Sequence, residues 1–194
     1  MKRTLLTIAF AIIISTLSFA QKNHTGVKLG ANLTTIKFSD GIESITPDRA
    51  FKWHFGFYFN RMISETVAVQ PEIMYHAVGY KPETGAPVDD ITLSYIAIPV
   101  MLKYYVSETF NIHAGPQLGI LVGGTKFNGV SITEGTKSTE IALGIGAEMK
   151  VAEIVDLSIR YVGGANTDDS GLDFDQKSST FQISLNMRID KQLY

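Results

Sequence analysis

The side chains best suited to metal binding or proton transfer in this sequence are its four histidines, His24, His54, His76 and His113. Imidazole binds transition metals and changes its charge near neutral pH, so a metal centre or a proton site is the chemistry to consider. The spacings His-x-x-x-His and His-Glu-x-x-His, which place two ligands on one face of a helix, do not occur. We therefore expect the last three, which fall in the polar phase, to fill the interior as ordinary polar side chains, and we assign no metal ligand.

Other segments carry chemically suitable residues without the spacing that the chemistry needs. Residues 168–175 are acidic and could hold a hard cation such as calcium, but their spacing is not that of an EF-hand loop. Gly144 and Gly146 do not form a nucleotide-binding loop, because a strand pattern runs through them and no helix follows. A Gly-x-Ser-x-Gly nucleophile elbow is absent, and the chain has no cysteine. We expect neither enzymatic activity nor a bound cofactor.

The first twenty residues have the layout of a secretory signal peptide. Two basic residues precede an apolar run from Leu5 to Phe19, which ends in a small-x-small cleavage site before Gln21. The run is shorter than the ~20 residues that a spanning helix needs. We expect residues 1–20 to be cleaved, which leaves residues 21–194 as one domain with 15 basic and 19 acidic residues. This negative balance disfavours nucleic acid as a partner.

The segment 51–60 shows the repeat that dominates the rest of the chain. Every odd position is aromatic, and four of the five even positions are charged, polar or glycine, with Tyr58 as the exception. A β-strand points successive side chains to opposite faces, so this segment would have one face made of rings. Seven further segments alternate in the same way: 27–34, 67–76, 96–104, 110–120, 140–150, 155–161 and 181–189. Each is close to the ~9–11 residues of a tilted membrane strand.

The links between these segments are alternately short and long. The short links are 61–65, 107–109 and 152–154, and the long ones are 37–49, 79–90, 124–137 and 165–178. Three short and four long links are what eight antiparallel strands need when both termini lie on one side. Bacterial outer-membrane barrels have short periplasmic turns and long external loops. The sequence therefore predicts an all-β, eight-stranded, up-and-down transmembrane barrel with both termini in the periplasm.

Alternation alone does not say which face points outward, because a soluble barrel would bury its apolar face. Two features favour an apolar face turned to lipid. The polar phase contains the glycines that a crowded eight-stranded interior requires, namely Gly30, Gly56, Gly115, Gly119, Gly144 and Gly146. Aromatic residues cluster toward both ends of the apolar band, as at two lipid interfaces. At the loop end these are Phe51, Trp53, Tyr75, Tyr161 and Phe181, and at the turn end Phe57, Phe59, Tyr104 and Phe110.

A polar phase that points inward encloses charges that must compensate one another. Glu72 and Glu148 would share the interior with five cations, Lys28, Lys52, Lys103, Arg160 and Arg188. Removing one member of a buried ion pair leaves an uncompensated charge, which is strongly destabilising. We predict an interior ion-pair network, and a marked fall in the melting temperature of the Glu148→Ala variant.

Three strand segments carry a resemblance to a known family. They are Gly-Val-Lys-Leu-Gly-Ala-Asn-Leu at 26–33, Tyr-Ile-Ala-Ile-Pro-Val-Met-Leu-Lys-Tyr-Tyr at 95–105, and Ala-Gly-Pro-Gln-Leu-Gly at 114–119. Together with the Ala20-Gln21 junction they resemble the PorT-like outer-membrane barrels of Bacteroidetes, over the whole mature chain. The resemblance implies a small barrel of the OmpA and OmpX type. The family includes a member needed for protein secretion across the outer membrane, and the resemblance carries over no site residue.

The sequence leaves three hypotheses for the role. The leading one is a monomeric outer-membrane protein with a structural, adhesive or secretion-supporting role, in contact with membrane lipid, lipopolysaccharide, and proteins at its external loops or periplasmic face. The alternatives are a narrow channel, disfavoured because side chains fill such a lumen, and a lipid-modifying enzyme, disfavoured by an almost wholly apolar outward face. The four long loops hold eleven acids against six bases. This acidic rim could engage divalent ions that bridge lipopolysaccharide.

Overall fold

Eight long strands make up most of the protein. The computed structural model describes residues 23–39, 44–81, 91–124, 126–127, 130–131, 139–166 and 175–189. The strands are β1 His24–Ser39, β2 Asp48–Met62, β3 Val67–Lys81, β4 Ile91–Ser107, β5 Phe110–Gly124, β6 Thr139–Lys150, β7 Val155–Asn166 and β8 Asp175–Arg188. Within these ranges no helix is long and apolar enough to cross a membrane. The predicted signal peptide, and the acidic segment 168–175 except Asp175, lie outside the described residues.

The strands close into a barrel. Each pairs antiparallel with the next along the chain, and β8 pairs with β1 from Gly26–Arg188 to Ser39–Asp175. Closure gives the strands partners on both sides, so the sheet has no free edge. This is the arrangement by which a β-structure satisfies its backbone in hydrocarbon. The predicted eight-stranded antiparallel up-and-down barrel is confirmed.

The apolar phase points outward, as predicted. Phe51 is 72% exposed, Trp53 51% and Phe57 56%, whereas Lys28 is 3% and Lys103 1% exposed. The outward rings contact one another: the Trp53 ring lies 5.6 Å from that of Phe55 and 5.0 Å from that of Tyr75. Because exposed rings and buried ammonium groups are the reverse of a soluble protein, the outer surface is suited to lipid.

The strands continue further into the long links than the sequence indicated. β1 reaches Ser39, β3 reaches Lys81, and β8 begins at Asp175. In these extensions the alternation changes sign: exposed Lys37 lies in the outward phase of β1, and Ile36 beside it is buried. The pattern of apolar residues outside and polar ones inside therefore stops short of the strand ends. Above the apolar band β1 has a buried isoleucine and an exposed lysine, as a strand of a soluble barrel would.

Two irregularities in the pairing lie at this same end. The register shifts between Arg49 and His54 on the β2–β3 ladder, and between Ser94 and Tyr95 on the β4–β5 ladder. An extra residue in one strand of an antiparallel pair re-aims the side chains around it.

Candidate functional site

Glu72 lies at the centre of an ion cluster in the lumen. Its Oε1 atom is 2.7 Å from Lys28 Nζ and 2.8 Å from Arg160 Nη2, and Arg160 Nη1 donates to Oε2 at 3.1 Å. Gln70 Nε2 also donates to Oε1, at 2.7 Å. These side chains come from β1, β3 and β7, so the cluster spans the interior rather than one wall. Arg160 binds the buried carboxylate through two hydrogen bonds and Lys28 binds it through one. Together they form a rigid cross-link inside the barrel.

A second cluster surrounds Glu148 nearer the short turns. Lys103 Nζ lies 2.5 Å from Glu148 Oε1, and Asn111 Nδ2 donates to the same oxygen at 3.2 Å. Asn186 Nδ2 donates to the other carboxylate oxygen. The predicted network is therefore present, with Lys28 and Arg160 on Glu72 and Lys103 on Glu148.

Two of the five predicted cations have other partners. Arg188 Nη2 pairs with Asp156 Oδ2 at 3.1 Å, and Lys52 Nζ donates to Thr92 Oγ1 at 2.7 Å. Sequence reasoning left Asp156 out of the network, although Asp156 alternates with Val155 and Leu157 in the polar phase. It also left out Glu140, which is buried and accepts a hydrogen bond from Ser178 Oγ. Strand phase placed both acids inside, but phase does not say which cation lies opposite.

The three lumen histidines belong to the same hydrogen-bonded interior. His54 Nδ1 lies 2.6 Å from Asn32 Oδ1, and its Nε2 lies 2.8 Å from Ser184 Oγ. His76 Nδ1 lies 3.2 Å from Gln182 Nε2, and Arg160 Nε donates to His113 Nε2 at 3.2 Å. Over the described ranges, no three histidine or acidic side chains are grouped to hold a metal ion. The imidazoles fill and connect the interior.

Two glycines show how tightly the interior is filled. A Cβ atom on Gly30 would lie 2.6 Å from the His54 ring, and one on Gly146 would lie 2.7 Å from His113 Nε2. Both distances are too short for any side chain, so these positions require glycine. The observed contacts agree with the crowding inferred from the glycines of the polar phase.

An apolar cluster closes the lumen at the loop end. Ile36, Val78, Leu93 and Tyr95 are each 5% exposed or less, and Tyr80 and Leu121 pack against them. This apolar plug, as we call these six residues, comes from β1, β3, β4 and β5. It was missed in the sequence because its residues lie in, or next to, segments read as loops. The lumen thus has ionic clusters below and an apolar cluster above.

The comparisons with known proteins agree with this architecture. The family described as "Outer membrane protein beta-barrel domain" matches residues 6–189. The chain belongs to this family. Among solved structures, Ail, the attachment invasion locus protein of Yersinia pestis, is 14% identical with a TM-score of 0.52, over 87% of this chain and 100% of that one. Neisserial surface protein A is 16% identical with a TM-score of 0.55, over 84% and 97%.

The family membership supports an outer-membrane location for the chain. At such low identities the likeness concerns the fold alone. No curated protein matches the sequence.

Proposed function

We propose that this outer-membrane barrel is a non-conducting structural protein that acts through its loop-end surface, by adhesion or by supporting partner proteins of the envelope. The observation that carries the proposal is the doubly closed lumen. The Glu72 cluster crosses the interior, and the apolar plug lies above it. A solute would have to break buried ion pairs and also displace buried apolar side chains.

The buried ionisable groups also support a non-enzymatic role. Glu72, Glu148 and Arg160 bond to one another or to amides and cations of the same interior. A catalytic group needs access to substrate, whereas these side chains are buried and engaged with other residues of the protein. We therefore propose that the protein acts by binding partners at the two ends of the barrel.

The orientation follows from the links. Residues 63–66, 108–109 and 151–154 make short turns at one end, and the strand ends that border the long links lie at the other. By the general rule for bacterial barrels the turns face the periplasm and the long loops face outward. The resemblance to the PorT-like family favours support of protein secretion among the possible roles. We propose a monomer whose loops contact protein partners and whose outward apolar face contacts lipid.

Conductance in planar bilayers tests whether the barrel is closed. We expect the refolded protein to show no current steps above those of protein-free bilayers, because the Glu72 cluster and the apolar plug both occupy the lumen. Folding is verified beforehand by heat-modifiable mobility on gels, and a large open porin serves as the positive control. Reproducible steps from folded protein, absent from a heat-unfolded sample, would overturn the proposal in favour of a channel.

Cells with and without the protein test the surface role. We expect deletion to change adhesion, envelope integrity or secretion, with restoration by the wild-type chain but not by a chain whose long loops are shortened. Lipid A mass spectra of the same cells should be identical. Altered lipid A in cells that carry the protein would contradict the non-enzymatic assignment.

A further inference from the structure

An apolar groove crosses the outer surface over five strands. Its volume is about 710 Å³. It follows two rows of paired residues from β4 to β8: Tyr104, Ile112, Ala147, Ile159 and Ile183 in one row, and Leu102, Ala114, Ile145, Tyr161 and Phe181 in the other. Four strand spacings of ~4.8 Å make it about 19 Å long. Since strands in such barrels tilt, the groove runs obliquely through the membrane region.

The groove is lowest at its two small residues. Ala147 is the middle residue of its row and Ala114 the second residue of the other, and both lie between side chains that project outward. Ile145 is 61% and Ile159 57% exposed. A depression about two residues wide between such walls has the dimensions of one extended hydrocarbon chain.

A basic cluster lies beyond the loop-end limit of the groove. Lys37 on β1 and Lys177 on β8 are directly paired and both exposed, and Arg49 on β2 is exposed on the same side of the barrel. Like charges directly opposite each other on a sheet are destabilising unless something compensates them. The ion pairs found in the described ranges involve none of these three side chains.

Arg49 joins the cluster to the groove. Its guanidinium carbon lies 5.2 Å from the centroid of the Phe181 ring, which forms the end wall. The Phe181 ring in turn lies 5.0 Å from that of Tyr161. The charged groups of the basic cluster lie above an aromatic girdle, at the depth of lipid headgroups, and the apolar groove lies directly beneath them.

We propose that the groove and the basic cluster together form a binding site for one phosphate-bearing, acylated lipid of the loop-side leaflet. An acyl chain lies along Ala114 and Ala147, and the phosphate is bound by Lys37, Arg49 and Lys177. Charge complementarity and the continuity of the two surfaces identify this occupant. A neutral lipid would leave the paired lysines uncompensated, and a free phosphate would leave the groove without a specific ligand. The site deepens the proposed contact with outer-membrane lipid, and it does not depend on the lumen being closed.

Native mass spectrometry of the full chain tests the site. Protein is refolded in equal amounts of dioleoyl phosphatidic acid and dioleoyl phosphatidylcholine, extracted gently in detergent, and examined for retained lipid. We expect one phosphatidic acid per chain, retained about thirtyfold over phosphatidylcholine, from two lysines near a membrane surface. Equal retention of the two lipids overturns the proposal. The readout is independent of the orientation in the membrane, so its failure is distinguishable from failure of the proposed surface role.

Paired variants separate the two halves of the site. Lys37→Gln combined with Lys177→Gln should abolish the preference for phosphatidic acid, whereas Lys150→Gln at the turn end should retain it. Ala147→Phe should fill the groove and reduce retention of both lipids, whereas Ile98→Phe, on the same outer face outside the groove, should not. Inorganic phosphate should not displace the lipid. Unchanged retention in both the double lysine variant and Ala147→Phe, with normal heat-modifiable mobility, contradicts the site.

Discussion

Glu72→Ala is expected to lower the free energy of unfolding by about 3–5 kcal/mol, the usual effect of breaking a buried ion pair. The loss is large because Lys28 and Arg160 both bind this carboxylate, and both remain in the interior when it is removed. Gln70 also loses its acceptor. Urea titration of protein refolded in lipid vesicles, followed by heat-modifiable mobility and the fluorescence of Trp53, measures the change.

Three further variants show that the effect comes from charge. Glu72→Gln retains the shape without the charge and should also destabilise the barrel. Glu148→Ala should be destabilising too, because Lys103 and two amide donors lose their acceptor. Glu153→Ala, exposed in a short turn, should have no measurable effect. If Glu72→Ala and Glu153→Ala unfold at the same urea concentration, the lumen clusters do not stabilise the barrel.

Leu185→Arg is the second change with a large expected effect. Leu185 is 53% exposed and is the middle residue of the outward apolar run of β8, Phe181, Ile183, Leu185, Met187 and Ile189. An arginine near the bilayer midplane of a barrel costs about 2–4 kcal/mol, and the cost falls to about 0–1 kcal/mol near the interfaces. Ser179→Arg lies on the same face of the same strand above the apolar run, and should cost little. The same urea titration in vesicles compares the two variants.

The comparison tests which solvent touches the outer face. On a water-exposed surface a change to arginine has little effect at either position, since surface substitutions usually stay within ±0.5 kcal/mol. Equal small effects at positions 179 and 185 would therefore contradict burial of this face in lipid. A large loss at 185 alone would place the boundary of the hydrocarbon between them.

The Glu72 cluster and the apolar plug fill different parts of the lumen. The Glu72 cluster connects distant strands through charge in the lower part of the lumen, and the plug packs apolar side chains at the loop end. The apolar plug was not foreseen, because in the sequence Ile36, Val78 and Leu93 lie at the edges of segments rich in loop residues. Pairing with neighbouring strands extends the ladder into such segments, and pairing partners are not visible from local composition.

The same limit applies to the candidate lipid site. Lys37 and Lys177 are far apart in the chain and become direct neighbours only because β8 closes onto β1. Arg49 reaches Phe181 across the intervening strand for the same reason. The groove depends on Ala114 and Ala147 falling within adjacent rows, which is a property of register.

The sequence by itself determined the number of strands, the direction of the chain in each, and which side chains point outward. It did so because a strand alternates its side chains with a period of two, so each short segment carries its own face assignment. Only the tertiary structure decided which charged side chains of the lumen form ion pairs, where apolar side chains fill the interior, and which outer residues line the same groove. Those contacts join residues separated by dozens of positions, and they are set by the stagger with which eight strands close, which no local pattern records.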